Sequence, residues 1–327
     1  MHMRVFVTGA ASPLGRALVS ALKRRGDHVI GLVRRRGGVQ LLKNLGAEPV
    51  MGDVRRSESL ARQMANCEVV FHVATFFDFW ARDVRSFDSV NVGGTKNAIA
   101  AAVVAKVPRF IHVSSALAIG EAAGEMGYEW TKHRGDSRSD FERSKVESER
   151  MALKLRSKGI DIVVVNPSLV LAPGDMGWIG RVMTRAVAGG LRFGTDAPMS
   201  WIAADDAAHG MIRACEAGKS GERYILSSER MSMRQLFERV GALTGRKPAG
   251  AWSPAALDTL SKISVSVTKP FGKRPLLAPD EVRFLINGLR VDGAWARGEL
   301  GAKYSALSAV LPGIVQSYQR ALERFGK

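Results

Sequence analysis

Short apolar runs alternate with helical patterns over the first two thirds of the chain. The apolar runs predict buried strands at Arg4–Val7, His28–Val33, Glu48–Met51, Val69–Val73, Arg109–Val113 and Asp161–Asn166. Apolar positions spaced three and four residues apart predict helices near Leu14–Arg25, Ser57–Met64, Val90–Ala105 and Phe141–Lys158. Strands and helices in strict alternation are typical of a parallel sheet covered by helices. The predicted fold class is therefore α/β, with a doubly wound parallel sheet.

The pattern becomes less regular after Asn166. Prolines and glycines interrupt the next stretch, and the segment from Trp252 to Pro279 is rich in Ser, Pro and Lys. We therefore expect a smaller, irregular C-terminal lobe that binds the substrate. The predicted Rossmann domain spans residues 1–166 plus about 203–228, including a returning strand in GERYIL at Gly221–Leu226, and the substrate lobe spans 167–202 plus 229–327.

Composition narrows the class of protein. Hydrophobic residues at 46% and charged residues at 24% are ordinary for a globular protein. Cys67 and Cys215 lie far apart without a CxxC motif, so we expect neither a disulfide nor a zinc site. Six histidines show no ligand spacing, so no metal is expected. No apolar run approaches the roughly 18 residues of a membrane span, and we expect a cytoplasmic protein.

The net charge of +17 adds expectations about partners. A basic surface attracts phosphates, acidic lipid head groups and nucleic acids. No nucleic-acid-binding motif or aromatic-interleaved basic strip is present, so we expect no nucleic-acid partner. A peripheral membrane contact remains an expectation. The first fifty residues carry nine basic and two acidic side chains, where a phosphorylated cofactor would bind.

The segment TGAASPLG, from Thr8 to Gly15, follows a predicted strand and opens a predicted helix. It matches TGxxGxxG except that Ser12 replaces the middle glycine. In this arrangement backbone amides and the helix N-terminus approach a pyrophosphate. Serine is a good N-cap, and Pro13 suits the first helical position, so the replacement is physically tolerable.

Four further segments carry recognisable motifs and cover the chain almost continuously to Asn166. They are FHVAT at Phe71–Thr75, NVGGTKNAI at Asn91–Ile99, HVSSALAIG at His112–Gly120 and DFERSKVE at Asp140–Glu147. Together they resemble the extended short-chain dehydrogenase/reductase family, also called the NAD-dependent epimerase/dehydratase family. The resemblance implies a Rossmann fold and hydride transfer with a nicotinamide cofactor.

The end of the second predicted strand bears on the choice of cofactor. It reads Arg34, Arg35, Arg36 without a carboxylate, which favours NADP(H) over NAD, with Arg34 the leading phosphate contact. The alternative is that the arginines only solubilise a loop. Asp53, in GDV, resembles the family's adenine-contacting aspartate. The resemblance places the cofactor against Thr8, Gly9, Ser12, Pro13, Leu14, Gly15, Arg34, Asp53, Val54, Val73, Ala74, Thr75, Lys145, Pro167 and Ser168.

The family's catalytic serine, tyrosine and lysine correspond to Ser115, Phe141 and Lys145, with Ser114 the second choice for the serine. In the family the serine binds the substrate oxygen, the tyrosine transfers the proton, and the lysine lowers the tyrosine pKa and holds the ribose. Phenylalanine offers no proton. Positioned acid catalysis contributes about 10² to 10⁴ in rate, or roughly 3 to 5 kcal/mol.

Three explanations of Phe141 remain open. A deliberate Tyr→Phe substitution is one. Use of another donor, with Tyr128 or His133 as candidates, is the second. A natural protein that binds the nucleotide without reducing anything is the third.

The substrate class is indicated by the second lobe. NPSLVLAPGD, from Asn166 to Asp175, resembles the NPxxVxGP segment of dihydroflavonol reductases and 3β-hydroxysteroid dehydrogenases. The segment PMSWIAADDAA at Pro198–Ala208 lacks the arginine-aspartate pair typical of nucleotide-sugar enzymes. Several aromatic residues either line an apolar pocket or pack in the core: Phe76, Phe77, Phe79, Trp80 and Trp178.

The predicted function is an NADP(H)-dependent oxidoreductase that interconverts a hydroxyl and a keto group on a hydrophobic sterol-, flavonoid- or lipid-like substrate. A nucleotide-sugar epimerase or dehydratase is one alternative, and a non-catalytic dinucleotide-binding protein is another. A homodimer through the NVxGT and YxxxK helices is also expected by resemblance.

Overall fold

The structure, a computed structural model, describes residues 2–156, 159–190, 194–247, 250 and 252–325. Its strands are β1 Arg4–Thr8, β2 His28–Val33, β3 Glu48–Met51, β4 Val69–His72, β5 Arg109–Val113, β6 Asp161–Pro167, β7 Leu169–Leu171, β8 Pro198–Ala203, β9 Arg223–Leu226 and β10 Glu229–Ser232. Its helices are α1 Pro13–Arg24, α2 Arg36–Asn44, α3 Leu60–Gln63, α4 Arg85–Phe87, α5 Gly94–Val104, α6 Asp140–Leu155, α7 Trp178–Ala188, α8 Ala204–Ala217, α9 Met233–Thr244, α10 Pro254–Thr268, α11 Pro279–Asn287, α12 Ala294–Leu300 and α13 Leu307–Phe325.

Seven parallel strands form the main sheet in the order β3-β2-β1-β4-β5-β6-β9. Helices α1, α8 and α12 pack on one face, while α3, α5 and α6 pack on the other. Burial on both faces explains why the inner strands read as continuous apolar runs, whereas the edge strand β3 is partly exposed. The strand order reverses between β1 and β4, which opens a crevice at the carboxyl ends of these strands. The predicted doubly wound Rossmann sheet is confirmed.

Element boundaries differ from the predictions in a few places. Helix α3 covers only Leu60–Gln63 instead of Ser57–Met64, because Leu60 and Met64 are the buried apolar positions of that stretch and Ser59 makes no side-chain cap. A π-helical turn, Asp88–Gly93, precedes α5. Helix α6 ends at Leu155, and the predicted final residues Ser157 and Lys158 lie outside the described residues.

The smaller lobe contains a three-stranded sheet in the order β10-β8-β7. Its core joins α7, α9, α11 and α13 around large buried side chains, including Trp178, Trp201, Phe237 and Phe284. This lobe is more regular than expected, because the segment predicted to be irregular holds helix α10. Ser253 caps that helix by accepting from the Ala256 amide, and Pro254 occupies its first turn. Among the helices described, none is long and apolar enough to cross a membrane.

Candidate active site

A cavity of about 340 Å³ lies at the carboxyl ends of the central strands, where the sheet order reverses. Loops that follow β1, β4, β5 and β6 form one side of it, and the small lobe forms the other. Its wall includes many predicted site residues: Ser12, Pro13, Leu14, Val73, Thr75, Ser114, Ser115, Phe141, Pro167 and Ser168. Side chains far apart in sequence therefore meet at one site.

The turn between β1 and α1 is a glycine cradle. Gly9 has φ +64°, and a Cβ there would lie 2.7 Å from the Ala74 nitrogen. A Cβ on Gly15 would lie 2.2 Å from the Gly9 oxygen. Ser12 has φ −68° in extended backbone, and its Oγ accepts from the Gly15 amide at 3.1 Å. Side chains are thus excluded at Gly9 and Gly15 but not at Ser12, and the cradle fits a pyrophosphate at the N-terminus of α1.

A hydrogen-bond chain behind the cradle holds β1, β4 and α5 together. Thr8 Oγ1 lies 2.9 Å from His72 Nδ1 and accepts from the Ala74 amide at 3.1 Å. His72 Nε2 lies 3.0 Å from Thr95 Oγ1, which donates to the Asn91 carbonyl. Because Thr95 Oγ1 donates to the Asn91 carbonyl, His72 Nε2 has to donate to Thr95 Oγ1, and a neutral His72 then accepts from Thr8 Oγ1 at Nδ1. Burial, aided by the charge of Lys145, lowers the pKa of His72 to about 3.

Arg34 and Asp53, predicted to contact the adenosine end of the cofactor, line a second cleft of about 520 Å³ together with Arg56. Arg55 forms a bidentate ion pair with Asp53, and its hydrogen bonds lower the pKa of that carboxyl. Among the described residues Arg34 has no ion-pair partner, so its guanidinium is available to a ligand. Arg55 and Arg56 were not predicted from the sequence as site residues.

Some predicted cofactor residues line neither cleft. They are Thr8, Gly9, Gly15, Val54, Ala74 and Lys145. Val54 is buried against Gly94, and a Cβ on Gly94 would lie 2.7 Å from a methyl group of Val54. The Val54 carbonyl accepts from Asn97 Nδ2. The Ala74 amide already donates to Thr8. These residues shape the site from behind its wall.

Lys145 lies on α6 and is 1% exposed. Its Nζ donates to the Val113 carbonyl at 2.8 Å. Burial lowers the pKa of Lys145 to about 8, and the Glu149 carboxylate opposes part of that shift. The ammonium is therefore held at the end of β5, one residue before the two serines.

The serine pair follows β5 directly. Ser115 caps a 3₁₀ turn, with its Oγ accepting from the Leu117 amide at 3.3 Å, and its carbonyl accepts from Asn166 Nδ2 at 3.0 Å. Ser114 Oγ is buried, lines the cavity and has no hydrogen-bond partner within the described chain. Ser168 Oγ is also buried without a hydrogen-bond partner within the described chain, and Ser168 lines the same cavity. Buried hydroxyls without partners are available to a polar group of a ligand.

Phe141, which the resemblance aligns with the family's tyrosine, lies in the cavity wall. Its ring is 4% exposed and lies 4.6 Å from the ring of Phe77, measured between centroids. Phe77 lines the cavity as well, whereas Phe79 and Trp178 belong to the core behind it. Of these aromatic residues, some line the pocket and others pack in the core, so each of the two interpretations holds for part of the set. At residue 141 the cavity wall therefore has an aromatic ring without a hydroxyl group that could donate a proton.

The two alternative donors lie away from the described cavity wall. Tyr128 stacks on Trp130, with ring centroids 5.1 Å apart. His133 packs against Gly120, and its Nε2 lies 3.3 Å from Glu142 Oε1. The ionisable side chain in the described wall is Asp175, which accepts from the Gly177 and Gly180 amides at the start of α7. The geometry gives no support to a replacement acid at residue 128 or 133.

Two amides that the sequence analysis did not assign to the site hold α6 in place. Asn91 accepts from the Phe76 amide at 2.8 Å and donates to Ser144 Oγ at 2.8 Å, so it joins the loop after β4 to α6. Asn166 donates to both the Ser115 carbonyl and Glu149 Oε2. Asn91 opens the NVGGT segment and Asn166 opens the NPS segment, and these motifs were the only sequence signal for the two residues. The motifs do not reveal which side chains the two amides contact.

The fold and the cavity at the carboxyl ends of its strands are those of a Rossmann-type dinucleotide-binding protein. The family model for the NAD dependent epimerase/dehydratase family matches residues 5–227. The chain belongs to this family, whose members use NAD(P), and the predicted resemblance is confirmed.

Two relatives resemble nearly the whole chain, and a third resembles about three quarters of it. Sterol demethylase protein B of Methylococcus capsulatus is 30% identical over 91% of this chain and 93% of its own. A putative dihydroflavonol 4-reductase of Synechocystis is 29% identical over 96% of this chain and 94% of its own. A 3-beta-hydroxysteroid dehydrogenase of Mycolicibacterium neoaurum is 27% identical over 75% of this chain and 71% of its own.

Among solved structures, the crystal structure of gox2253 is similar with a TM-score of 0.83 and 26% identity. The match covers 98% of this chain and 99% of that one. The likeness extends through the small lobe as well as the Rossmann sheet.

Proposed function

We propose that this chain is an NADP(H)-dependent oxidoreductase that interconverts a hydroxyl and a keto group on an apolar, sterol-like or polycyclic substrate. The cavity carries this proposal: beside the glycine cradle, its wall is mostly apolar except for a few hydroxyls and Asp175, which caps α7. Its volume of about 340 Å³ is of the size that holds small ligands. The names of the sterol- and flavonol-related relatives support the same substrate class.

The residues of the chain have separable roles in this proposal. When bound, NADPH supplies the hydride. Ser115 binds the substrate oxygen, and Lys145 provides a positive charge at the end of β5. Phe141 preserves the ring surface beside Phe77 but supplies no proton, so the proton that completes an alcohol has to come from water. We therefore expect slow turnover by the unmodified chain.

A second candidate function is dinucleotide binding without turnover. It is favoured by Phe141, because the ionisable side chain in the described wall, Asp175, already accepts from two amides of α7 and its capping turn and does not replace the missing hydroxyl. The two candidates predict the same cofactor affinity and differ in turnover: the reductase turns over slowly as it stands and faster when the hydroxyl is restored, whereas the binding protein does not turn over in either form.

Substrate class can be tested on the unmodified chain, whose slow turnover keeps a complex intact. With NADPH present, we expect polycyclic ketones to raise the melting temperature, because a ligand at a hundred times its Kd stabilises by about 2.7 kcal/mol. Nucleotide sugars should leave it unchanged, since the described cavity wall offers no free cation for a diphosphate. Stabilisation by nucleotide sugars and not by ketones, measured by differential scanning fluorimetry, would reverse the substrate assignment.

Cofactor preference should depend on Arg34. We expect NADPH to bind more tightly than NADH, and Arg34→Ala to reduce that preference by about 1 to 3 kcal/mol, the scale of a charge-assisted hydrogen bond. Fluorescence titration with both cofactors measures the effect. Arg320→Ala, at an exposed arginine of α13, is the matched control and should leave the preference intact. Equal affinities of the unmodified chain for NADPH and NADH would refute the assignment.

A further inference from the structure

An exposed apolar stripe runs along α10 and the turn that follows it. Ile263, Val267 and Phe271 are spaced four residues apart and are 58%, 62% and 71% exposed, and Leu276 is 53% exposed. The helix buries only Leu257 and Ser261 among its described side chains. Large apolar side chains repeated at helical spacing and left in water indicate an interaction surface.

The charges around this stripe are predominantly positive. From Thr259 to Leu277 the chain carries four cations, Lys262, Lys269, Lys273 and Arg274, and no acidic residue. Lys262 pairs with Asp258 and Arg274 with Asp78, but Lys269 and Lys273 have no ion-pair partner among the described residues. Apolar side chains flanked by unpaired lysines suit an interface between acyl chains and anionic head groups.

The same surface suits a second copy of the chain poorly. A two-fold contact would place the stripe against itself. The lysines of two copies would then approach each other with no carboxylate from this segment between them, and like charges repel. The homodimer predicted through α5 and α6 uses another surface and stays a prediction.

Side-chain contacts tie this surface to the wall of the cavity. Arg274 donates to both carboxylate oxygens of Asp78, at 2.7 and 2.8 Å, and Arg181 donates to Asp78 at 2.8 Å. Asp78 follows Phe77, and Arg181 lies two residues after Ile179, both of which line the cavity. A bilayer bound at α10 would therefore lie near the small-lobe side of the cavity.

We propose that α10 and the following turn, residues 259–277, bind the surface of an anionic lipid bilayer and bring the cavity close to membrane-dissolved molecules. Each lysine near an anionic surface contributes about 1 kcal/mol, or about fivefold in partitioning. The apolar stripe adds the transfer of its side chains into the interface. Binding of this kind weakens as salt rises.

Vesicle flotation tests this proposal with the unmodified full-length protein and no enzymatic assay, so its outcome is independent of the proposed function. We expect the protein to float with phosphatidylcholine vesicles that contain phosphatidylglycerol, and to stay behind with pure phosphatidylcholine. Lys269→Gln/Lys273→Gln should reduce partitioning about 30-fold. Val267→Ser/Phe271→Ser should reduce it as well, at unchanged net charge.

Matched variants elsewhere on the surface serve as controls. Lys96→Gln/Lys303→Gln removes the same charge at two other exposed lysines, and Val104→Ser removes an exposed valine of α5. Both should retain binding, and circular dichroism should show that every variant is folded. The proposal is overturned if anionic vesicles do not bind the protein, or if the control variants lose binding as much as the α10 variants do.

Discussion

Phe141→Tyr is expected to raise turnover of a suitable apolar ketone with NADPH by about 10² to 10⁴-fold, while NADPH affinity stays nearly unchanged. The substitution adds one hydroxyl at a ring that already stands in the cavity wall, on the helix that carries Lys145. A proton donor acts mainly in the transition state, so kcat should rise more than cofactor binding changes. Steady-state kinetics and a cofactor titration on the same preparation measure both quantities.

Phe77→Tyr is a matched control for this substitution. It adds the same hydroxyl to a neighbouring ring, 4.6 Å from that of Phe141, in the wall of the same cavity. Phe77 lies outside helix α6 and has no lysine four residues later, so we expect no comparable gain. An equal gain from Phe77→Tyr would show that added polarity, and not a positioned acid, limits the rate.

Lys145→Met is expected to stabilise the cofactor-free protein by about 2 kcal/mol at pH 7.5. The pKa of Lys145 falls from 10.5 to about 8 on burial, which corresponds to a cost of roughly 3 kcal/mol for holding the ammonium in the fold. Loss of the hydrogen bond to the Val113 carbonyl offsets about 1 kcal/mol of the gain. The buried ammonium of Lys145 therefore lowers the stability of the cofactor-free protein.

The pH dependence distinguishes this cause from ordinary repacking. Because the folded-state pKa lies below the unfolded value, the cost is complete below about pH 8 and disappears as the pH rises toward 10.5. We therefore expect the advantage of Lys145→Met to be lost over that interval in denaturant unfolding experiments. Lys96→Met, at an exposed lysine of α5, should show no such dependence. An advantage that persists unchanged above pH 10 would contradict the explanation.

The same lysine should also be required for the restored activity. In the Phe141→Tyr background, Lys145→Met should remove most of the gain in turnover, because the lysine favours the phenolate and, by family resemblance, positions the ribose.

The sheet and the core of the site were predictable because their signals are local. Continuous apolar runs predicted β2, β3 and β5 with the bounds that the structure has. The glycine cradle was predictable for the same reason, since glycines are needed where backbone segments approach within van der Waals contact. Helix α10 also had a local signal, Ser253 followed by Pro254, but its Ser- and Lys-rich composition masked it.

Other features depend on contacts between distant parts of the chain. Whether Phe77 or Phe79 faces the cavity depends on how the small lobe packs, and alternation along the loop does not reveal it. The unpaired hydroxyls of Ser114 and Ser168 are evident only once each neighbouring donor and acceptor is placed. The hydrogen bonds from Asn91 to Ser144 and from Asn166 to Glu149 join segments far apart in sequence.

Transfer of deuterium from labelled NADPH to a ketone tests the central claim most directly. After incubation of the Phe141→Tyr protein with a polycyclic ketone and NADPH that carries deuterium at both positions of nicotinamide C4, mass spectrometry of the alcohol should show one deuterium on the carbinol carbon. The unmodified chain should form the same labelled alcohol far more slowly. If the Phe141→Tyr protein binds NADPH but yields no labelled alcohol from any ketone tested, the chain is a dinucleotide-binding protein and not a reductase.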